Sequence, residues 1–265
     1  MTQITDAATI NRLSEQIGLE SPAAPVAVAT EAPADNRVFL PGGYVKADGT
    51  LVKYVEVREL NGLDEEAIAK SGGTAKALLT ILSRGLVAID GERPTKEDLE
   101  ALLSGDRDAI MLGIRKVTFG NTADMRFYCP TCNDQRVFKV DLAADVEIKE
   151  LENPVEDRSW IKTIKQGDVR LALPTGVTQR KVMEATDKTT AELNTLILSG
   201  CVLSVNGLPT TPATVLNLGI ADRDALIVDI MERNPGPRLM EVTKACEACG
   251  NDVELPLSLA ALFRL

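Results

Sequence analysis

Residues 129–132 read Cys-Pro-Thr-Cys, and residues 246–250 read Cys-Glu-Ala-Cys-Gly. Four of the 5 cysteines of the chain belong to these two pairs, and each pair stands between runs that are typical of β-strands. Two such turns supply four thiolates, which is the ligand set of a tetrahedral all-cysteine zinc site. The predicted metal ligands are Cys129, Cys132, Cys246 and Cys249.

The distance along the chain between the two pairs sets this site apart from a compact zinc ribbon, whose pairs are roughly 15–20 residues apart. More than a hundred residues separate Cys132 from Cys246. Neither pair can complete a four-coordinate site alone, so we expect one zinc per chain, bound where two parts of the chain meet. An all-cysteine site leaves no open position, so the zinc is predicted to be structural rather than catalytic.

The sequence repeats itself in a fixed order. Asp106-Arg-Asp-Ala-Ile110 is echoed by Asp222-Arg-Asp-Ala-Leu226, and Asp90-Gly91 is echoed by Asn206-Gly207. These echoes and the cysteine pairs keep an offset of about 115 residues, as a tandem duplication requires. We predict an α+β fold of two homologous halves with small antiparallel sheets and helices, joined at the shared zinc ribbon-like centre. The predicted halves are residues 37–150 and 151–265.

The N-terminal region differs from the rest in composition. Ile10, Leu13 and Ile17 fall on one face of a predicted amphipathic helix over residues 1–19, and residues 20–36 form an Ala- and Pro-rich linker. Two interpretations stay open, a disordered tail and a tethered helix that docks on a partner protein.

Three other interpretations of the cysteine pairs stay open at this point. They are a redox dithiol, a pair of turns that no longer bind metal, and a zinc shared between two chains. Redox pairs of the thioredoxin kind lie at a helix N-terminus, whereas these pairs lie between strands. The first twenty residues show no secretory signal, so we expect a reducing compartment that disfavours disulfides. Cys201 lies in an apolar run and is predicted to be a buried hydrophobic residue.

Composition excludes several classes of function. The chain contains no histidine, which removes His-based acid–base catalysis, Ser-His-Asp and Cys-His nucleophiles and His metal ligands. A net charge of -10 argues against binding to nucleic acid or to an anionic membrane. No stretch is apolar for long enough to cross a bilayer, and no phosphate-binding or nucleophile-elbow motif occurs. We therefore expect no enzymatic activity, no small-molecule substrate, no nucleic acid and no membrane partner.

The two Asp-Arg-Asp segments each open a stretch with helical periodicity. We interpret Asp106 and Asp222 as helix caps and favourable first-turn charges. Arg107 and Arg223 are expected to pair with acidic residues across the interface between the halves.

Several landmarks together resemble a known family. They are Leu40-Pro-Gly-Gly-Tyr44, the Asp-Arg-Asp helix, Cys129-Pro-Thr-Cys132 before an alternating strand, and Cys246-Glu-Ala-Cys249-Gly250 near the apolar C-terminus. In this order they resemble the baseplate hub proteins of tailed phages related to the T-even phages. The resemblance implies a non-enzymatic protein of the contractile tail, with other baseplate and tail proteins as partners. It implies a location in the virion, and in the host cytoplasm during assembly.

Two alternative functions remain beside this one. The first is an assembly chaperone that is absent from the finished particle. The second is a zinc-ribbon adaptor of a nucleic-acid complex, which the charge of -10 disfavours.

Overall fold

The computed structural model describes residues 36–265, and the first sheet lies at the beginning of this range. The predicted helix at 1–19 and the predicted linker, except for Asn36, lie outside the described residues. This three-stranded antiparallel sheet has the order β1-β2-β3, and its strands are β1 (Arg37–Val45), β2 (Leu51–Val57) and β3 (Leu86–Ile89). The turn between β1 and β2 contains Asp48 and Gly49: the Thr50 N–H donates to Asp48 Oδ1 at 2.9 Å, and Gly49 has φ of 87°.

This part of the chain also contains four helices: α1 (Gly62–Ala69), α2 (Thr74–Gly85), α3 (Lys96–Ala101) and α4 (Ser104–Phe119). Asn61 and Thr95 begin α1 and α3 with reciprocal capping boxes, which explains why these short helices form. The inner faces of α2 and α4 pack on the sheet through Ile81, Ile110 and Ile114, all fully buried. A two-stranded ribbon of β4 (Thr122–Cys129) and β5 (Asp134–Asp141) follows, and then the short strand β6 (Ile148–Lys149).

The second part of the chain builds a four-stranded antiparallel sheet of order β10-β9-β8-β7. Its strands are β7 (Ser159–Ile164), β8 (Gly167–Ala172), β9 (Val202–Val205) and β10 (Leu208–Pro209). Its helices are α5 (Gly176–Glu184), α6 (Thr190–Cys201), α7 (Pro212–Leu216) and α8 (Ile220–Arg233). Apolar side chains of the sheet, α6 and α8 form a second core, in which Val169, Leu198 and Leu226 are fully buried.

The chain ends with a second ribbon and a short helix. The elements are β11 (Gly236–Pro237), β12 (Thr243–Ala245), β13 (Asp252–Glu254) and α9 (Leu259–Leu262). The α+β class is therefore confirmed, with nine helices and several small antiparallel sheets among residues 36–265. Within the same residues, no helix combines the length and apolar character needed to cross a bilayer.

The order of elements recurs along the described chain. A hairpin, two helices, a strand, a short helix, a long helix and a two-stranded ribbon occur first over residues 37–141 and again over residues 159–254. Asp90-Gly91 and Asn206-Gly207 both form turns with left-handed backbone, with φ of 53° and 76° in the first and 50° and 77° in the second. The tandem duplication and the boundaries 37–150 and 151–265 stay predictions.

A third core is built from both parts of the chain. Its buried members include Phe138 and Val140 on β5, and Val253 and Leu255 at the second ribbon. Strand β6 also pairs with β11, at Lys149 opposite Gly236. The two parts therefore share apolar packing and backbone hydrogen bonds in addition to whatever the cysteines contribute.

The helix α4 lies at the centre of this shared packing. The Ser104 N–H donates to the Pro174 carbonyl at 2.8 Å, and the Gly176 N–H donates to the Leu102 carbonyl at 2.8 Å. At Gly105 the helix approaches the segment before β11 so closely that a side-chain Cβ would overlap the Pro235 carbonyl oxygen. Glycine at this position is thus required by the close approach of two backbones.

Candidate metal centre

The two ribbons carry the four predicted ligands at their turns. Cys129 is the last residue of β4, and Cys132 lies in the turn before β5. Cys246 and Cys249 lie in the turn between β12 and β13. Because a tight turn between paired strands fixes both cysteines of a pair, each ribbon presents two sulfur atoms in one direction.

Both turns use the same local geometry. The residue after each pair has left-handed backbone, Asn133 with φ of 55° and Gly250 with φ of 73°. The Asn133 N–H donates to the Cys129 carbonyl at 2.9 Å, and the Gly250 N–H donates to the Cys246 carbonyl at 2.7 Å. Glycine and asparagine are the residues that adopt this backbone most readily, so the sequence is suited to the turn at both places.

The four sulfur atoms lie together although the pairs are far apart in sequence. All four are within 4.8 Å of one another. The Cys129 and Cys249 sulfurs are 3.8 Å apart, and so are those of Cys132 and Cys246. Ligands at about 2.3 Å from a tetrahedral zinc are separated by about 3.8 Å, so the donor set and its spacing fit zinc.

The electrostatics of the cluster also favour a cation. The N–H groups of Ala248 and Cys249 lower the pKa of the Cys246 thiol to about 7. The neighbouring sulfurs, Cys249 foremost, raise the pKa of Cys132 to about 12. Four thiolates this close repel one another, so full deprotonation requires a positive ion among them.

Burial differs between the first and second cysteine of each pair. Cys129 and Cys246 are buried in the core that both parts of the chain share, whereas Cys132 is half-buried and Cys249 is exposed. The site therefore lies at the edge of this core, with two sulfurs inside it.

Cys201 does not belong to the cluster. It is fully buried in the core of the second part of the chain, where burial raises the pKa of its thiol to about 12. The prediction that it acts as a buried hydrophobic residue agrees with this position.

A second concentration of polar groups, which the sequence did not predict, lies where α3 and α4 meet α5. Asp106 and Arg107 are buried rather than exposed at a helix cap, and the N-cap of α4 is Leu103. Three buried side-chain atoms here have no hydrogen-bond partner among the described residues: Arg107 Nε, Gln179 Oε1 and Arg180 Nε. Asp106 Oδ2 also has none, but Asp106 faces Gly42 of β1.

The predicted roles of the two arginines are also corrected. Arg223 donates to the Val215 carbonyl at 2.9 Å and to Thr195 Oγ1 at 2.7 Å, so it binds neutral groups of its own part of the chain. Arg107 lies against Gly176, across the interface, where burial lowers the pKa of its guanidinium. The guanidinium of Arg107 can lie there because Gly176 has no side chain: a Cβ at position 176 would overlap Arg107 Nη1.

The carboxyl of Asp106 gives a testable pH dependence. It accepts the Gly42 N–H at 2.6 Å, but burial raises its pKa to about 7. Because its pKa is higher in the folded state, this carboxyl holds its proton more tightly there than in the unfolded chain. Its contribution to the free energy of unfolding is therefore fully present below the unfolded pKa and is lost as pH rises through about 7. We expect the free energy of unfolding to fall by about 2–4 kcal/mol between pH 4 and pH 8 through this group. In Asp106→Asn, denaturant unfolding across this range should show a flatter profile, and part of the remaining slope belongs to Asp108, whose pKa burial raises to about 6.

The control for this prediction is Asp98→Asn. The Tyr44 hydroxyl donates to Asp98 at 2.6 Å and lowers the pKa of that carboxyl, so its contribution to stability has the opposite sign. A pH profile of Asp106→Asn as steep as that of the unmodified protein would contradict the assignment.

Comparison with known proteins identifies the family. Residues 57–207, more than half of the chain, match the family described as T4 bacteriophage base plate protein. The chain belongs to this family. The match confirms the predicted resemblance, and it assigns the protein to the phage baseplate. It covers this baseplate protein from the end of β2 to the turn after β9, so it includes Cys129 and Cys132 but neither Cys246 nor Cys249. No curated protein and no solved structure matches the baseplate protein.

Proposed function

We propose that this protein is a non-enzymatic structural component of the baseplate hub and acts through contacts with other proteins. The match over residues 57–207 is the observation that carries the proposal, because it assigns the chain to a family of baseplate proteins. A four-sulfur cluster whose ligands all come from the chain is suited to holding a structure together and leaves no position for a substrate.

The zinc in this proposal is structural, with one ion per chain. Cys129 and Cys132 bind it from the first ribbon, and Cys246 and Cys249 bind it from the second. When bound, the ion supplies positive charge that stabilises four thiolates at once. The chain's own contribution is to hold two sulfurs on each turn through the left-handed residues Asn133 and Gly250.

The partners in this proposal are other proteins of the phage baseplate and tail, and residues 1–19 are one segment proposed to bind them. Nucleic acid, membranes and small-molecule substrates have no part in it. The protein functions in the virion and passes through the host cytoplasm during assembly.

Peptide mass spectrometry of purified phage particles tests the proposal. We expect peptides from this chain in intact particles and in isolated baseplates, at a fixed ratio to other baseplate proteins. The infected-cell lysate, sampled before particle release, serves as the control for expression. Abundant peptides in the lysate and none in the particle would contradict a structural role and would instead identify an assembly chaperone.

A further inference from the structure

An open cleft of about 880 Å³ lies between the two parts of the chain. Helices α4 and α5 line it, together with two stretches near the C-terminus, within residues 231–241 and 257–260. None of the four clustered cysteines lines it, so it is separate from the candidate metal centre. Clefts of roughly 300–1,000 Å³ are the usual size of binding sites in proteins.

The lining of this cleft is rich in methionine. Four of the 6 methionines of the chain lie in it: Met111, Met183, Met231 and Met240. Met111 is buried, whereas Met231 is 51 % exposed and Met240 is 68 % exposed. Methionine side chains are flexible and polarizable, and they are typical of surfaces that adapt to apolar segments of other proteins. The cleft is therefore suited to an apolar partner.

Two hydrogen-bond acceptors lie among these apolar side chains. Gln179 Nε2 donates to Asp108 Oδ1 at 2.7 Å, which leaves the other end of the amide, Gln179 Oε1, as an acceptor. This oxygen is buried and has no donor among residues 36–265. Burial raises the pKa of Asp108 to about 6, so its carboxyl is largely ionised at neutral pH. Because buried acceptors are nearly always paired, this pair calls for a donor from outside the chain.

The other charged groups of the cleft leave negative charge without a partner. Lys149 Nζ donates to the Glu232 carbonyl, and the Arg238 guanidinium donates to the carbonyls of Glu232 and Asn234, each at 3.1 Å. Both cations thus bind backbone. The carboxyl groups of Glu232 and Glu241 form no ion pair within the described part of the chain. A cation brought by a partner would therefore be attracted into the cleft.

We propose that the cleft binds a segment of another protein in which one arginine is flanked by apolar residues. The apolar residues pack against the methionines, and the guanidinium donates to the Asp108 carboxylate and to Gln179 Oε1. Arginine fits this role because its planar fork carries five N–H donors and can reach two neighbouring acceptors at once.

The inference rests on the proposed function for the class of partner, which is another protein of the baseplate or tail. It goes further because it assigns the surface that makes the contact and the chemistry that the surface selects. The methionines provide contact area for many apolar segments, and the buried acceptors discriminate in favour of a segment that carries the cation.

Fluorescence anisotropy with labelled synthetic peptides tests the inference on the full chain. The probe is a capped heptapeptide of leucine and alanine with one central arginine, and the matched peptide has glutamine in its place. Asp108→Asn removes the charged acceptor. Asp224→Asn is its control, because Asp224 is exposed on α8 and does not line the cleft.

A second pair of variants tests the apolar part of the cleft. Met240→Ser removes an exposed apolar side chain of the lining. Leu208→Ser is its control, because Leu208 is 71 % exposed on β10 and lies outside the cleft. Circular dichroism of each variant checks that it folds.

We expect the unmodified chain to bind the arginine peptide about tenfold more tightly than the glutamine peptide, as a hydrogen bond between charged groups predicts. Asp224→Asn should keep this ratio, and Asp108→Asn should bind the two peptides alike. Met240→Ser should weaken the binding of both peptides by a similar factor, and Leu208→Ser should bind them as the unmodified chain does.

Three results would overturn the proposal. One is an unmodified chain that binds neither peptide. Another is equal binding of the arginine and glutamine peptides by the unmodified chain. The third is a preference for arginine that survives in Asp108→Asn, since the cation then binds elsewhere. None of these results bears on whether the chain is a component of the phage particle, which mass spectrometry measures separately.

Discussion

Removing the proposed zinc is expected to lower the free energy of unfolding by several kcal/mol, which is the larger of the two strongest effects predicted for this protein. The binding free energy of a structural zinc is folding free energy, and in zinc-finger peptides it amounts to about 10–16 kcal/mol. The effect here should be smaller, since apolar packing and the pairing of β6 with β11 also join the two parts of the chain. Without the ion, buried Cys129 and Cys246 lose the charge that stabilises their thiolates.

Denaturant unfolding with and without a chelator measures this effect, with metal content determined on the same samples. Cys246→Ser should lose the zinc and become insensitive to the chelator. Cys201→Ala is the matched control, because Cys201 is equally buried but lies in another core. It should keep one zinc per chain and lose only the few kcal/mol of a cavity.

Two outcomes would contradict this prediction. The first is a chain without zinc whose cysteine pairs oxidise readily, which is the behaviour of a redox dithiol. The second is half a zinc per chain, since that stoichiometry means a site shared between two molecules.

Gly105→Ala is expected to destabilise the protein by about 3 kcal/mol or more. A Cβ at this position would overlap the Pro235 carbonyl oxygen, and backbone cannot move aside as a flexible side chain can. Relief of the overlap requires α4 to shift away from β11, which loosens the shared core. Thermal unfolding monitored by circular dichroism measures the loss.

The control is Gly62→Ala at the first position of α1. A Cβ there meets no atom within 4 Å among the described residues, so the same substitution should be neutral or slightly stabilising. Equal stability of Gly105→Ala and Gly62→Ala would show that α4 and the segment before β11 are not in the close contact described.

Much of the candidate site follows from local sequence. Each Cys-x-x-Cys turn is specified by residues next to it, including the left-handed Asn133 and Gly250, and the alternating strands after each pair bury one face. The conjunction of two such turns at one point was predicted because neither could complete a tetrahedral site alone. The structure places the sulfurs at the separation that this reasoning requires.

What could not be predicted depends on which surface covers which helix. Asp106-Arg107-Asp108 and Asp222-Arg223-Asp224 are identical in sequence, yet Arg107 is buried at the interface and Arg223 binds groups of its own part of the chain. Side-chain periodicity gives the inner face of α4 and α8 alike, as Ile110 and Leu226 show. Whether the outer face of α4 is buried depends on contacts with residues more than sixty positions away, such as Pro174 and Leu262. The local pattern of apolar residues carries no information about these contacts.

The order in which the ligands leave the ribosome has a consequence for folding. Cys129 and Cys132 are synthesised more than a hundred residues before Cys246, so a nascent chain holds only half of the four cysteines throughout that interval. Closing so long a loop is slow, because its entropy must be lost before the ion offers any gain. Capture of the proposed zinc is therefore expected late in folding, and a chain truncated before residue 246 cannot complete the site. The proposed ion in this way distinguishes chains that extend past Cys249 from chains truncated before residue 246.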